Sequence, residues 1–141
     1  MAFAALKRLA ENGDEGAYHM LGYMYDVGEG TRRSPRSAMR WYRRSYRAGS
    51  STSAINIATM YRDAGDHRKE FEWYRRAAAL DDGDAKLEVA IRYLSGKGVR
   101  RSIKLAIHHL EDVLRTKDTS EAATDIARQL LHGCKARRRV A

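Results

Sequence analysis

The tetrapeptide Trp41-Tyr42-Arg43-Arg44 returns as Trp73-Tyr74-Arg75-Arg76, each copy following a tyrosine that closes an earlier apolar stripe. Tyr25, Tyr61 and Tyr93 stand 36 and 32 residues apart. Self-similarity at such a period is the mark of stacked helical pairs. In an array of this kind each unit touches only its neighbours, so the core accumulates along the stack. The period thus directs the reading to an extended binding surface rather than a catalytic pocket.

Aligning the three tyrosines turns the preceding helix into a register. Eight residues upstream lie Ala17, Ser53 and Ala85; four upstream lie Leu21, Ile57 and Val89; three upstream lie Gly22, Ala58 and Ala90. Three downstream lie Gly28, Ala64 and Gly96. Spacings of three and four share one helical face, where small residues admit a second helix and the larger ones fill the space between. A second helix follows each first one. Its apolar stripe is Ala38, Trp41, Tyr42, Ser45 and Tyr46, then Trp73, Tyr74, Ala77 and Ala78, then Ala106, His109, Leu110, Val113 and Leu114. Core packing is the reading for these aromatic pairs.

Eight helices are predicted, over 3–12, 16–28, 35–48, 52–64, 67–80, 83–95, 101–116 and 119–132. The first is a second-type helix without its partner, built on Ala5, Leu6, Leu9 and Ala10. The last repeats the first-type pattern through Ala122, Ile126, Ala127 and Leu130, with Gly133 as its stop. Ser34-Pro35 places a capping hydroxyl before a proline suited to the first helical position. Gly49, Gly65 and Gly83 lie at helix ends, where a left-handed residue favours glycine.

Composition agrees with helix throughout: one proline in 141 residues, 43% hydrophobic and 32% charged. Net charge is +9, which draws polyanions or acidic surfaces without specifying a fold. The lone Cys134 forms no internal disulfide, and the apolar start breaks at Lys7-Arg8, short of a signal-peptide core. No run reaches membrane-spanning length. A cytoplasmic location is expected.

Ala17, Leu21, Gly22, Tyr25, Gly28, Gly30, Ala38, Trp41, Tyr42 and Gly49 follow the order of a Sel1-like repeat. Ala85, Tyr93, Gly96, Gly98 and Val99 follow it again. The chain therefore resembles the Sel1-like repeat family, relatives of the tetratricopeptide repeat. Thr31 departs from the family valine, His108-His109 replaces the aromatic pair, and the middle unit has a shorter turn. The resemblance implies an all-α fold, a right-handed α-solenoid superhelix of antiparallel helix pairs. It divides the chain into a capping partial repeat (1–15), an array (16–50, 51–82, 83–118 and a partial 119–133) and a basic tail (134–141). It also implies a bacterial, non-catalytic adaptor or scaffold for a protein partner, with an immunity or inhibitor protein for a cognate toxin as an alternative.

In such superhelices the first helix of each pair lines the concave side. That geometry implies a partner face of His19, Tyr23 and Asp26, then Ile55, Thr59 and Arg62, then Leu87, Ile91 and Leu94, then Thr124, Arg128 and Leu131. Apolar residues in this row either pack between helices or line a groove for a peptide. On a second-type helix, Arg36, Arg40, Arg43, Arg44 and Arg47 form one basic stripe, either a solvated face or a site for nucleic acid or another polyanion. His108 and Asp112 have ligand spacing but no further ligands, so no metal and no cofactor are expected. Cys134 among cations lacks a base and an orienting group, so no catalytic residue is assigned. The ends carry apolar side chains, Ala5, Leu6 and Leu9 at one and Ile126, Leu130 and Leu131 at the other, so at least one end is expected to be covered, by self-association or by further protein.

Overall fold

The computed structural model describes residues 2–140, the side chain of Val140 excepted. Eight α-helices follow in order: α1 (Ala2–Glu11), α2 (Glu15–Val27), α3 (Pro35–Arg47), α4 (Ser51–Asp63), α5 (His67–Ala79), α6 (Gly83–Ser95), α7 (Ile103–Arg115) and α8 (Glu121–Val140). No strand occurs among the described residues. The first seven fall within two residues of the ranges read from the sequence. Short polar caps explain that agreement. Ser37 N donates to Ser34 Oγ at 3.2 Å, Lys69 N to Asp66 Oδ1 at 3.1 Å and Ala85 N to Asp82 Oδ1 at 3.0 Å.

The chain forms two compact units, Met1–Ile57 and Ala58–Ala141, and the division falls inside α4. In the first unit Ala10, Ala17, Leu21 and Trp41 form a core, with Phe3, Leu6, Tyr18 and Tyr25 packed against it. The register read from the tyrosines is visible here. Leu21 is fully buried, and a Cβ on Gly22 would stand 2.7 Å from the Tyr42 ring, so only glycine lets that ring lie flat on α2. Phe3 meets Tyr25 edge to face at 5.2 Å, which ties α1 down, while Leu9 stays exposed.

In the second unit Leu87 and Ala90 of α6 join Ile107, Leu110 and Val113 of α7 and Ala123, Ala127, Leu131 and Cys134 of α8. His109 takes the aromatic place in this unit by stacking on Tyr93, centroids 5.5 Å apart. A polar tie joins α5 to α6. Glu70 of α5 is 1% exposed and accepts a hydrogen bond from Arg92 of α6, itself 12% exposed, and shares another with His67 Nδ1 at 2.9 Å. Lys86 is likewise buried and reaches Asp81 at 2.6 Å, Thr116 at 2.8 Å and Asp112 at 3.1 Å.

Several expectations are corrected. Gly133 does not stop the last helix, and the stretch taken as a basic tail (134–141) is helical through Val140; Ala141 lies outside the described residues. Burial of Cys134 against α6 and α7 offsets the weak helix propensity of one glycine. On α8 Ala127 is buried as expected, but Ala123 and Leu131 are buried in place of Ala122 and Ile126, which are exposed. Leu114 is exposed rather than part of its stripe. Gly28 and Gly96 are left-handed caps with φ of 77° and 74°, so they open the bends between paired helices rather than lie on the packing face of the first helix. Gly83 opens α6 instead of ending a helix, and a Cβ there would overlap Thr119.

Candidate partner-binding faces

In the first unit, α2 presents His19 and Asp26 toward a polar cluster. His19 Nδ1 lies 2.8 Å from Ser53 Oγ, and its ring is 5.6 Å from the Tyr42 ring. Tyr42 OH donates to Asp26 Oδ2 at 3.2 Å. Burial, then the Asp26 charge, pushes the Tyr42 hydroxyl well above its usual range, and burial lowers the His19 imidazole. Both groups are therefore neutral near pH 7, and most of their hydrogen-bonding capacity is spent inside the protein. Ser53 is fully buried, so this His–Ser pair offers no nucleophile to an outside substrate. Tyr23 is different. With Met20 and Val27 it forms an exposed apolar face of α2, at 42%, 46% and 50% exposure. Spacing of three and four from Tyr23 points to Met20 and Val27, which the repeat register alone had passed over. Ile55 on α4 is half-buried.

The expected face of the second unit divides. Thr59 is half-buried, and Arg62 is exposed beside Asp63 at 3.3 Å. Leu87 and Leu131 belong to the core and are not available to a partner. Arg128 is exposed and pairs with Asp125 at 3.4 Å, while Thr124 Oγ1 donates to the Ser120 carbonyl. Ile91 and Leu94 remain. They sit half-buried on α6 and open onto a groove of about 410 Å³ whose other wall is α8. Gln129, Leu130, Gly133, Cys134 and Arg137 form that wall, and Ser95 closes the α6 side. Reading Gly133 as a stop hid this wall. The signal was the continued spacing of Ala127, Leu130 and Cys134 on one face. Cys134 is buried at the back of the groove, within α8 rather than after its end.

The arginines of α3 do gather. Arg36, Arg40, Arg43, Arg44 and Arg47, with Met39, line a shallow depression of about 390 Å³. Arg44 lies over the Trp41 ring at 4.7 Å, as Arg76 lies over Trp73 at 4.5 Å, so these two guanidinium groups shield the buried indoles. No group of three or more metal-ligating side chains occurs among the described residues. Asp112, one half of the spaced His108–Asp112 pair, is instead held by Lys86. No helix among the described residues is long and apolar enough to cross a membrane.

Comparison with known proteins agrees with this architecture. A Sel1 repeat protein from Oxalobacter formigenes is 27% identical with a TM-score of 0.72, over 89% of this chain and 96% of that one. A protective antigen of uropathogenic Escherichia coli with an SLR fold is 28% identical, TM-score 0.68, over 79% of this chain and 25% of that one. Helicobacter pylori cysteine rich protein B shares the fold at 20% identity and a TM-score of 0.65, over 89% of this chain and 97% of that one. An uncharacterized protein of Neisseria meningitidis is 30% identical over 105 residues; the match covers 74% of this chain but only 22% of that protein's length. These neighbours place the fold among all-α solenoids, and Sel1 repeat proteins are generally protein-interaction scaffolds. The Sel1 repeat model matches residues 16–50, 66–82 and 83–111, more than half of the chain, which therefore belongs to the Sel1 repeat family.

Proposed function

We propose that this chain is a non-catalytic adaptor that captures a protein partner. The observation that carries this reading is the open groove between α6 and α8, where Ile91, Leu94 and Leu130 form an apolar floor that the chain's own packing leaves accessible. A groove of that kind takes side chains of a peptide or helix as anchors. The apolar α2 face around Tyr23 is a candidate second area of contact. An inhibitor of a cognate toxin would be one form of the same reading, separable by whether the captured partner loses its activity.

Retention of the native partner on immobilised protein tests the proposal. Ile91→Asp is expected to lower retention by roughly tenfold or more, since an ionised side chain in an apolar contact costs the complex well over the free-energy equivalent of that factor. Tyr23→Ala should have the smaller effect, because its face is flat and solvated. Equal retention by wild type and Ile91→Asp, with unchanged circular dichroism, would remove the groove from the proposal.

A second reading concerns the α3 stripe. Five arginines stand on this helix with no carboxylate among its 13 residues, whereas Arg76 of α5 has Glu72 one turn away at 3.5 Å. Like charges at this spacing repel, and a polyanion relieves the repulsion. Binding of a single-stranded RNA would weaken steeply with salt and vanish on replacing Arg36, Arg40, Arg43 and Arg47 with glutamine. Absence of a gel shift at about 150 mM salt, where the screening length is near 8 Å, would exclude this reading.

A further inference from the structure

We infer that the groove between α6 and α8 takes one class of ligand: a short peptide segment with a bulky apolar anchor next to aspartate or glutamate. The inference rests on the partner-capture reading and specifies its ligand. Gly133 is the first observation. It lies within α8, its backbone is not left-handed, and nothing stands within 4 Å of where its Cβ would be. Neither a turn nor internal packing asks for glycine at this position, although glycine weakens a helix interior. What its missing side chain does is open a notch in the groove wall. Leu130 and Arg137 flank the notch on the same helical face, three residues before and four after.

The floor sets the anchor. Ile91 and Leu94 of α6 face Leu130 of α8, and the groove's 410 Å³ falls within the range of about 300–1,000 Å³ typical of ligand sites. That room suits one large aliphatic or aromatic side chain, or two smaller ones.

Charge sets the flank. Arg137 is the single ionised side chain of the lining, and no carboxylate shares the groove with it. Lys135 before it and Arg138 and Arg139 after it are exposed on the same turns. A helix C-terminus carries roughly half a negative elementary charge, so four cations exceed what the dipole of α8 complements. Asp125 is the last acidic residue of α8, and Arg128 already holds it at 3.4 Å. A carboxylate arriving with the ligand meets the Arg137 guanidinium in a charge-assisted, two-pronged contact while the anchor enters beside Gly133. A nucleic acid would match the cations and leave the apolar floor unfilled. A basic peptide would match the floor and be repelled at the mouth.

Selection of a random heptapeptide display library against the full chain tests the assignment. Wild type is expected to enrich Leu, Ile, Phe, Met or Trp with Asp or Glu within a few positions. The enriched peptide, resynthesised with fluorescein, should bind roughly tenfold more weakly to Arg137→Glu by fluorescence anisotropy. Its amide counterpart, with Asn and Gln for Asp and Glu, should not distinguish the two proteins. Gly133→Leu fills the notch from a position the fold does not use, so it should abolish binding of both peptides with circular dichroism unchanged. Enrichment of neutral apolar peptides indifferent to Arg137→Glu would overturn the acidic class and leave the groove standing. Enrichment of acidic peptides without an anchor would overturn it as well. If Gly133→Leu and Ile91→Asp remove no enriched peptide, both the ligand class and the groove fail.

Discussion

Arg92→Met is expected to destabilise the second unit by about 3–5 kcal/mol at neutral pH, because it leaves a buried carboxylate without its main partner. Glu70 is 1% exposed, and burial alone would raise its pKa. Hydrogen bonds from Arg92 and His67, followed by their charges, outweigh burial and hold the carboxyl below its usual range. The sign of the pH dependence follows from that direction. In the wild type this pair stabilises the fold above the ordinary glutamate pKa, and the contribution fades as pH falls through the lowered folded value. In the variant the balance reverses. Burial dominates over the remaining His67 contact, the folded pKa rises, and neutral pH becomes the unfavourable condition. The stability gap between the two proteins should therefore narrow on acidification from pH 7 toward pH 4. Glu88, also paired with Arg92 at 2.8 Å, is partly solvated and bears its loss more cheaply. Urea titrations at both pH values read the gap directly. Replacing the pair together, with Glu70→Leu and Arg92→Met, should recover much of the loss, since two apolar groups leave no charge stranded. A loss below about 1 kcal/mol for Arg92→Met at pH 7 would show that the pair does not bind α5 to α6 as described.

Trp41→Ala should destabilise the first unit by about 3–5 kcal/mol, the range for deleting a buried indole and leaving part of its cavity. Trp41 joins Ala10, Ala17 and Leu21 in the core, and the Tyr18 ring lies 5.7 Å from it. Arg44 also loses its platform, which exposes the guanidinium stem and loosens the end of α3. Equilibrium unfolding followed by Tyr and Trp fluorescence, or by circular dichroism at 222 nm, measures the change. An effect within about 0.5 kcal/mol of zero, as expected for a surface position, would contradict the core assignment.

Much of the fold was legible in the residues because each helix carries its own local instructions. Ser34, Asp66 and Asp82 cap helices by accepting hydrogen bonds from backbone amides three residues on, a range that needs no tertiary information. Leu21, Ile57 and Val89 are buried where the tyrosine register puts them, because spacing of three and four determines which side chains share a face. The candidate sites were less legible. Ile91 and Leu87 occupy equivalent-looking places on α6, yet one opens onto a groove and the other is sealed in the core. That choice depends on how α8 lies against α6 and α7, where Ala123, Ala127, Leu131 and Cys134 join Leu87 in the core. The helical run past Gly133 is a tertiary decision for the same reason: a glycine reads locally as a stop, and only burial of Cys134 against distant residues overrides it. The helices, their caps and their inward faces were thus determined by the sequence over short range. Which outward apolar and cationic residues come together as a surface, with Ile91, Leu130, Gly133 and Arg137 around one groove, was decided by packing between helices tens of residues apart.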